Sequence, residues 1–393
     1  MKLQIFGREI TVGLKKSLPE KFDSMHFSGP FPSYQYLDTQ TAMKFTAVFA
    51  AMRLRAESVA SLPKTVTQKT SSGKVEATGH PAYILLKFRP NKYQNIFSFW
   101  EYTNACLDGW GNAYVIVQRS LGGFPIDLIP IHPKYVTVDL VKGEKWFRIA
   151  GTKDFDGLYH DDDILHFFSL SIDGIKGVNP IVYNASAINA GISATTYGNE
   201  FFEKKGNFKA VLETEKLIDA KDFKAIRERI SSYSDHETPI LEGGLKYKSI
   251  GIAPEAAQML QTRTFALQDI ARIFNVPPHF IADLSRATFS NIEHQDIQFV
   301  KYSLRPAIKR YETELDRKLI FTSELGKIET KFNIDGLLRG DMKSRAEYYS
   351  KAIQNGWFSR NEVREMENRN QIAGLDEMLY PSNLTVNGKP NAK

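Results

Sequence analysis

Three long helical stretches, each bounded or bent by proline, constrain this chain more than any other feature. The first, PIVYNASAINAGISATTYGNEFFEKKG, covers about 26 residues from Pro180 to Gly206, about 40 Å at 1.5 Å per residue. Its first half is rich in Ala, Ser and Gly, small residues that let backbones approach closely against a neighbouring helix or a second copy. The second, PEAAQMLQTRTFALQDIARIFNV, is opened by Pro254 and stopped by Val276-Pro277-Pro278. The third, NIEHQDIQFVKYSLRPAIKRYETELDRKLI, covers about 30 residues, about 45 Å. Pro306 lies well inside it, and a kink is expected there because the ring removes one hydrogen bond and clashes one turn back. Between the first two stretches, KAVLET, DAKDFKAIRERISSYS and PILEGGLKYKSI read as a strand-helix-strand insertion.

Upstream the pattern is different. Residues 1–40 are turn-rich, with SGPFPSYQY showing neither helical nor strand period, and read as an arm. A helix is expected from Thr41, where Val48, Met52, Ala56 and Val59 recur at helical spacing before Pro63, and another over NIFSFWEYTNACLDGW. The period then falls to two. AYVIVQR and FPIDLIPI flank a turn, as do YVTVDL and KWFRIA, so two hairpins are expected and residues 41–175 read as one α+β domain. Downstream, KIETKFNI reads as a strand. Asp341 is placed to cap a helix that Gly356 stops, Ser359 and Glu362 form a capping-box pair, and PSNLTVNGKPNAK reads as a disordered tail.

At 393 residues the chain is long enough for two or three domains, and a net charge of +6 permits contact with a polyanion without demanding it. A single cysteine, Cys106, rules out an intrachain disulfide and a thiolate metal site, and its apolar neighbours suggest a buried, inert thiol. No signal-like or membrane-spanning apolar run occurs, so a cytoplasmic fold and no membrane partner are expected. Asp161, Asp162 and Asp163 between His160 and His166 come nearest to a metal cluster. Consecutive side chains on a strand alternate in direction, so a solvated turn is the better reading, and neither a metal nor a nuclease centre is expected. His132 and His279 stand alone and read as hydrogen-bonded structural residues. Phosphate loop, nucleophile elbow and zinc helix motifs are all lacking, so no enzyme activity and no cofactor are expected.

DIARIFNVPPHFIAD, residues 269–283, resembles the opening of a helix-turn-helix, which makes a DNA-binding regulator the alternative reading. The residues after its turn are mostly apolar, with Arg286 the one cation, a poor set for reading base edges. LSRATFSN, joining two long helices, is small and polar enough to touch a phosphate backbone without reading sequence.

Together the strings VFAAMRLRAESVASLP, HPAYILLKFRPN, GNAYVIVQR, DILHFFSLSIDGIKGVNPI, YGNEFFEKKGNFKAVLE, ILEGGLKYKSIGIAPEAAQMLQTRTFALQDIARIFNVPPHFIAD, ATFSNIEHQDIQFVKYSLRPAIKRYETELDRKL, FNIDGLLRGDMKSRAEYYSKAIQNGWFSRNEVREMEN and YPSNL resemble, in order, the portal proteins of tailed double-stranded-DNA bacteriophages of the lambdoid type. That resemblance implies an arm (1–40), an α+β wing (41–179), two stem helices (180–206 and 253–276) and a clip (207–252). It further implies a wing return with a tunnel loop (277–291), a long kinked helix (292–320), and a helical crown with tail (321–393). It implies a ring of twelve subunits, part of the virion at one capsid vertex and assembled in the host cytoplasm. Terminase would package DNA through the ring, DNA would later be ejected through it, and a head-completion adaptor, the major capsid protein and scaffold would dock on it. Ser285, Arg286, Thr288, Ser290 and Asn291 would line the channel, and Lys204, Lys205 and Lys209 would present charge to the channel or clip. The small-residue face of 180–206 is a candidate subunit contact. Residues 1–40 match no string of the family.

Overall fold

A computed structural model describes residues 2–5, 8–11, 37–71, 73–203, 210–213, 219, 223–224, 228, 246–249, 256–281, 289–334, 342–367, 369–379, 385–386 and 389–390. The chain divides into two compact units, one of Met1–Phe27, Met52–Asn179 and Asn275–Lys393, the other of Ser28–Ala51 and Pro180–Phe274.

The larger unit is built around the strand Asn112–Arg119, flanked by Ile164–Phe168 and Pro125–Ile131 in one antiparallel sheet. Its run AYVIV is apolar without alternation because both faces are covered. On one face Tyr114 and Ile116 join Ile129, Ile131 and Ile164 against Phe147 and Ile149 of a second sheet. That sheet orders Val136–Val141, Glu144–Ile149 and Gly157–His160. Its first hairpin turns through Lys142 and Gly143, at φ 52° and 81°, the positive pair that a two-residue hairpin turn needs.

The other face carries the aromatic core. Trp100, from the helix Ile96–Trp110, meets Tyr311 at 5.3 Å, Phe332 at 4.9 Å and Phe167 at 6.3 Å between ring centroids. Gly111 ends that helix at φ 74°, and an added Cβ there would lie 2.0 Å from the Val178 carbonyl oxygen. Only glycine permits this turn. A third sheet pairs Ile328–Phe332 with Lys64–Thr70, and the latter with Gly73–Glu76. The expected boundary at residue 321 therefore cuts across structure: the strand Ile328–Phe332 completes a sheet whose other members lie some 260 residues earlier.

In the smaller unit the helix Ala185–Glu203 packs along Ala256–Phe274. An added Cβ on Gly191 would sit 3.0 Å from both Ala266 Cβ and the Phe45 ring, so at this point the small-residue face is spent inside the subunit. Ala210–Glu213 pairs with Lys246–Ser249 as two strands of the expected insertion, whose helix falls mostly outside the described residues.

Several boundaries differ from the sequence reading. The helix expected from Thr41 is two pieces, Thr39–Ala42 capped by Asp38, and Thr46–Ser61, separated by a turn at residues 43–45. The stretch 180–206 is likewise broken at Asn184, whose side chain folds back to the Pro180 carbonyl at 2.8 Å. Polar side chains that compete for backbone groups break helices in this way. In the arm, Lys2–Ile5 pairs with Arg8–Thr11. In the tail expected to be disordered, Thr385–Val386 pairs with Lys389–Pro390. Asp341 and Pro254 lie outside the described residues. The capping box of Ser359 and Glu362 is present, with both hydrogen bonds made at 3.1 and 2.7 Å.

Candidate functional site

The third long helix is a strut of three segments: Phe289–Gln298, a π-helical turn over Phe299–Leu304, and Arg305–Leu319. The proline kink takes the form of that π turn. In an α-helix the Tyr302 carbonyl would accept from the amide at 306, and Pro306 has none. The Arg305 amide bonds instead to the Val300 carbonyl, and the freed Tyr302 carbonyl accepts from the Asn275 side chain at 2.9 Å. Asn275 is the residue immediately after the helix Ala256–Phe274 and sits at φ 51°, a left-handed position that asparagine tolerates better than most side chains.

Four residues further on, the chain is fastened to the strut a second time. His279 lies in the short 3-10 turn Pro278–Ile281, its ring 2.7 Å from Gln295 Oε1 and 3.0 Å from Asp296 Oδ1. Nε2 faces a carboxylate oxygen, so this nitrogen carries the hydrogen and donates it. Phe280 packs on Phe299 with ring centroids 5.3 Å apart. The turn Pro278–Ile281 and the strut are thus joined by a hydrogen bond and a ring contact.

The strut is bolted along its length. The Ser303 hydroxyl meets the Arg55 guanidinium, which donates to Asp108 at 3.0 Å; Asn104 donates to the same carboxylate at 2.7 Å, and Tyr311 donates to Asn104 at 2.8 Å. All five side chains belong to buried residues. Glu312 accepts from the Phe332 amide at 3.2 Å, and Asp316 accepts from the Thr330 amide and hydroxyl at 2.6 and 2.7 Å. At the far end Lys318 donates to the Ile164 carbonyl and to Asp161, which also takes Arg317 at 2.7 Å. The Asp161–Asp163 run is accordingly a 3-10 turn entering a strand, with Asp161 as an anchor for the strut.

Next to this anchor His166 is buried. Asn112 is oriented by the Gly177 backbone, accepting its amide and donating to its carbonyl, each at 2.8 Å. The Asn112 oxygen therefore faces His166 Nε2 at 3.0 Å and fixes the Nε2–H tautomer, leaving Nδ1 to accept from Lys145 at 2.7 Å. Burial, reinforced by Lys145, Lys318 and Arg317, holds His166 well below its usual pKa. Burial also pushes Lys145 down to about 8, with repulsion from Lys318 and Arg317 working against attraction from Asp161 and Glu314. His132 caps a 3-10 turn by accepting the Lys134 amide at 3.1 Å, and Cys106 is buried with its thiol pushed up to about 12 by desolvation. These are structural roles, as the sequence suggests.

Of the residues expected to line a channel, Ser285, Arg286 and Thr288 lie outside the described residues, as do Lys204, Lys205 and Lys209. Ser290 and Asn291 fall within the first turn of Phe289–Gln298, so the helix begins two residues before the Asn291 start expected from the sequence. The helix-turn-helix alternative fails on geometry, because Val276-Pro277 leads into a four-residue 3-10 turn where a recognition helix would have to start. Among the described residues no group of His, Cys, Asp and Glu is placed to hold a metal, and no helix is long and apolar enough to cross a membrane. Sequence reasoning missed Asn275 and Arg55. An asparagine between an apolar helix end and Val-Pro-Pro is a legible stop signal, whereas nothing local marks Arg55 as a bolt.

A family model described as phage portal protein matches residues 46–368. The chain is 28% identical over 363 residues to the portal protein of Enterobacteria phage HK97, covering 89% of this chain and 85% of that one. It is 30% identical over 362 residues to the probable portal protein of Streptomyces phage phiC31, covering 87% and 79%. Among solved structures, a chain in the virion of a native gene transfer agent particle superposes with a TM-score of 0.60 at 20% identity, covering 89% of this chain and 98% of that one. An HK97 family phage portal protein from Corynebacterium diphtheriae gives 0.58 at 18%, covering 76% and 96%.

Proposed function

Because the chain belongs to the phage portal protein family, we propose that it forms a closed ring at one vertex of a capsid, as a structural, non-enzymatic conduit for double-stranded DNA. Twelve copies surround the channel. A terminase packages the genome through it, the genome later leaves the same way, and the ring docks scaffold, major capsid protein and a head-completion adaptor and nucleates procapsid assembly. The observation that carries this reading is the family match running through 46–368, which takes in the three three-stranded sheets, both long helices of the smaller unit, and the strut. Solved gene transfer agent necks of the same fold, computed with C12 and with C6 symmetry, support a cyclic assembly.

The segment 282–288 is the channel loop in this proposal, carried by the strut and closed at its base by His279. A conduit must pass every sequence, so base-edge contacts would be a defect and tight phosphate binding would stall movement. Arg286 as the one cation of that segment suits this requirement. The stem is the helix pair of the smaller unit, and the clip is the insertion containing Ala210–Glu213 and Lys246–Ser249.

The test is native mass spectrometry of the purified chain with negative-stain imaging of the same sample. Twelve copies of 44.6 kDa give about 535 kDa and a ring with a central hole. A chain that remains at 44.6 kDa after scaffold and capsid protein are added refutes the conduit reading.

A further inference from the structure

We propose that the solvent face of the strut is a subunit interface whose occupant is the segment 370–379 of a second copy of this chain. The inference rests on the ring reading above and names the two surfaces that meet.

The strut exposes residues in pairs that recur every four positions: Lys301 and Tyr302, Arg305 and Pro306, Lys309 and Arg310, then Thr313. The intervening pairs, from Ser303 and Leu304 to Tyr311 and Glu312, are buried. The exposed face is thus a cationic row around an apolar centre, with Tyr302 left 59% exposed. Lys309 is 3.1 Å from Glu312, but among the described residues no carboxylate comes within ion-pair distance of Lys301, Arg305 or Arg310. Three guanidinium or ammonium groups on one rigid helix, beside an exposed aromatic ring, form a surface prepared for an acidic and apolar partner.

The same chain supplies one. Residues 370–379, NQIAGLDEML, contain no Lys or Arg, and they expose Asp376 and Glu377 together with Ile372, Met378 and Leu379. Ile372 and Leu379 are 47% and 42% exposed. Their backbone is nonetheless held. Buried Asn361 donates to the Ile372 carbonyl at 2.9 Å and to Asp376 at 2.8 Å, and its oxygen accepts the Ile372 amide at 2.9 Å. The Asn361 amide bonds to the Leu375 carbonyl, and Gly374 turns at φ 84°. A turn fixed in this way presents its side chains without paying loop-ordering entropy on association.

A closed ring needs heterologous contacts, in which each copy offers two different complementary surfaces. The strut face and the 370–379 turn differ in sequence, oppose in charge and share an apolar centre. Complementary charge selects the register of such a contact and repels wrong pairings.

Two charge-reversed chains test this. Arg305→Glu with Arg310→Glu makes the strut face acidic; Glu377→Lys with Met378→Lys makes the turn basic while leaving the Asn361–Asp376 hydrogen bond in place. Each reversed chain alone meets like charge at every contact, and its native mass is expected to fall from about 535 kDa to 44.6 kDa with an unchanged circular dichroism spectrum. An equimolar mixture is expected to recover the full ring, because alternating copies restore opposite charges at every contact. Rings from either reversed chain alone, or a mixture that stays at 44.6 kDa, overturn the interface while leaving the ring reading intact. If the strut face served DNA instead, the first variant would keep its ring and lose retention of a short duplex, which also overturns it. Failure of the unsubstituted chain to form a ring with scaffold and capsid protein added would refute the ring reading itself, and the interface with it.

Discussion

Substituting Arg55 tests whether the strut is held by its buried polar network or only by the apolar packing around it. Arg55 and Asp108 have side chains 10% and 7% exposed and lie 3.0 Å apart, and the guanidinium also reaches Ser303 in the π turn. In Arg55→Met the Asp108 carboxylate stays buried, with the Asn104 amide at 2.7 Å as its remaining donor. Breaking a buried pair by removing one partner costs about 3–5 kcal/mol, mostly through the stranded charge. Asp108→Asn alone removes the carboxylate charge facing the guanidinium, which keeps Ser303, and is also destabilising. Arg55→Met combined with Asp108→Asn removes both charges, while the residue 108 oxygen still accepts from Asn104. The double variant is then expected to lose at least about 2 kcal/mol less than the sum of the singles. Urea unfolding followed by tryptophan fluorescence reads this cycle, since Trp100 lies against Tyr311 in the same core. Hydrogen exchange across Phe299–Leu304 is expected to quicken in the single variants. Singles that add to within about 0.5 kcal/mol would falsify the claim that the network, and not packing alone, fixes the strut.

Three further outcomes are expected. Lys64 is buried between Trp100 and Phe332, donating to the Ala60 carbonyl at 2.6 Å, and burial pushes its ammonium down to about 7. The unfolded chain binds this proton more readily, so its contribution to stability rises by up to about 1.4 kcal/mol per pH unit from about 7 to 10.5. Below pH 7 the full penalty applies, so Lys64→Met should stabilise most there and flatten the rise; denaturant midpoints at pH 6 and 9.5 that shift equally would contradict this. Gly111→Ala should cost more than the about 1–2 kcal/mol of left-handed backbone alone, because its Cβ meets the Val178 carbonyl. A thermal midpoint within a degree of the parent would show that close approach to be absent. His279→Ala removes the Nε2–H hydrogen bond to Asp296 and the Nδ1 contact with Gln295 beside residues 282–288, worth about 1–3 kcal/mol. Its signature should be faster proteolysis within that segment with little change in global unfolding, and unchanged nicking would argue against the base as a clamp.

What was legible in the sequence follows from the range of the forces involved. Helical and two-residue periods are local, so the hairpin Val136–Ile149, the strand AYVIV and the long helices could be read from neighbours a few positions apart. Caps are local too, and Ser359 with Glu362 formed as their spacing demands. The pairing of Lys64–Thr70 with Ile328–Phe332 has no such mark. Ile328–Phe332 alternates strictly in burial and reads as a strand, but alternation does not name a partner some 260 residues away. Arg55 and Ser303 are 248 positions apart, and a buried arginine looks like any surface arginine until its partners are in place. The channel residues were inferred from resemblance to a family, because no local period or cap marks them.

That scaffold also explains why a helix-turn-helix opening and a loop carrier can share one sequence signature. Both need an amphipathic helix, a hard stop and a return. In a DNA reader the return is a helix with its polar face turned outward. Here the stop at Asn275 is followed within four residues by His279, and both side chains reach the strut, at Tyr302 and at Gln295 with Asp296. Polar groups that a reader would offer to base edges are used to fasten the chain to the strut. Pro306 takes part in the same arrangement, since the carbonyl it frees is the one that Asn275 fills. Replacing Pro306 with alanine would return an amide that competes for that carbonyl. The kink is therefore better understood as one half of the Asn275 attachment than as a bend in a helix.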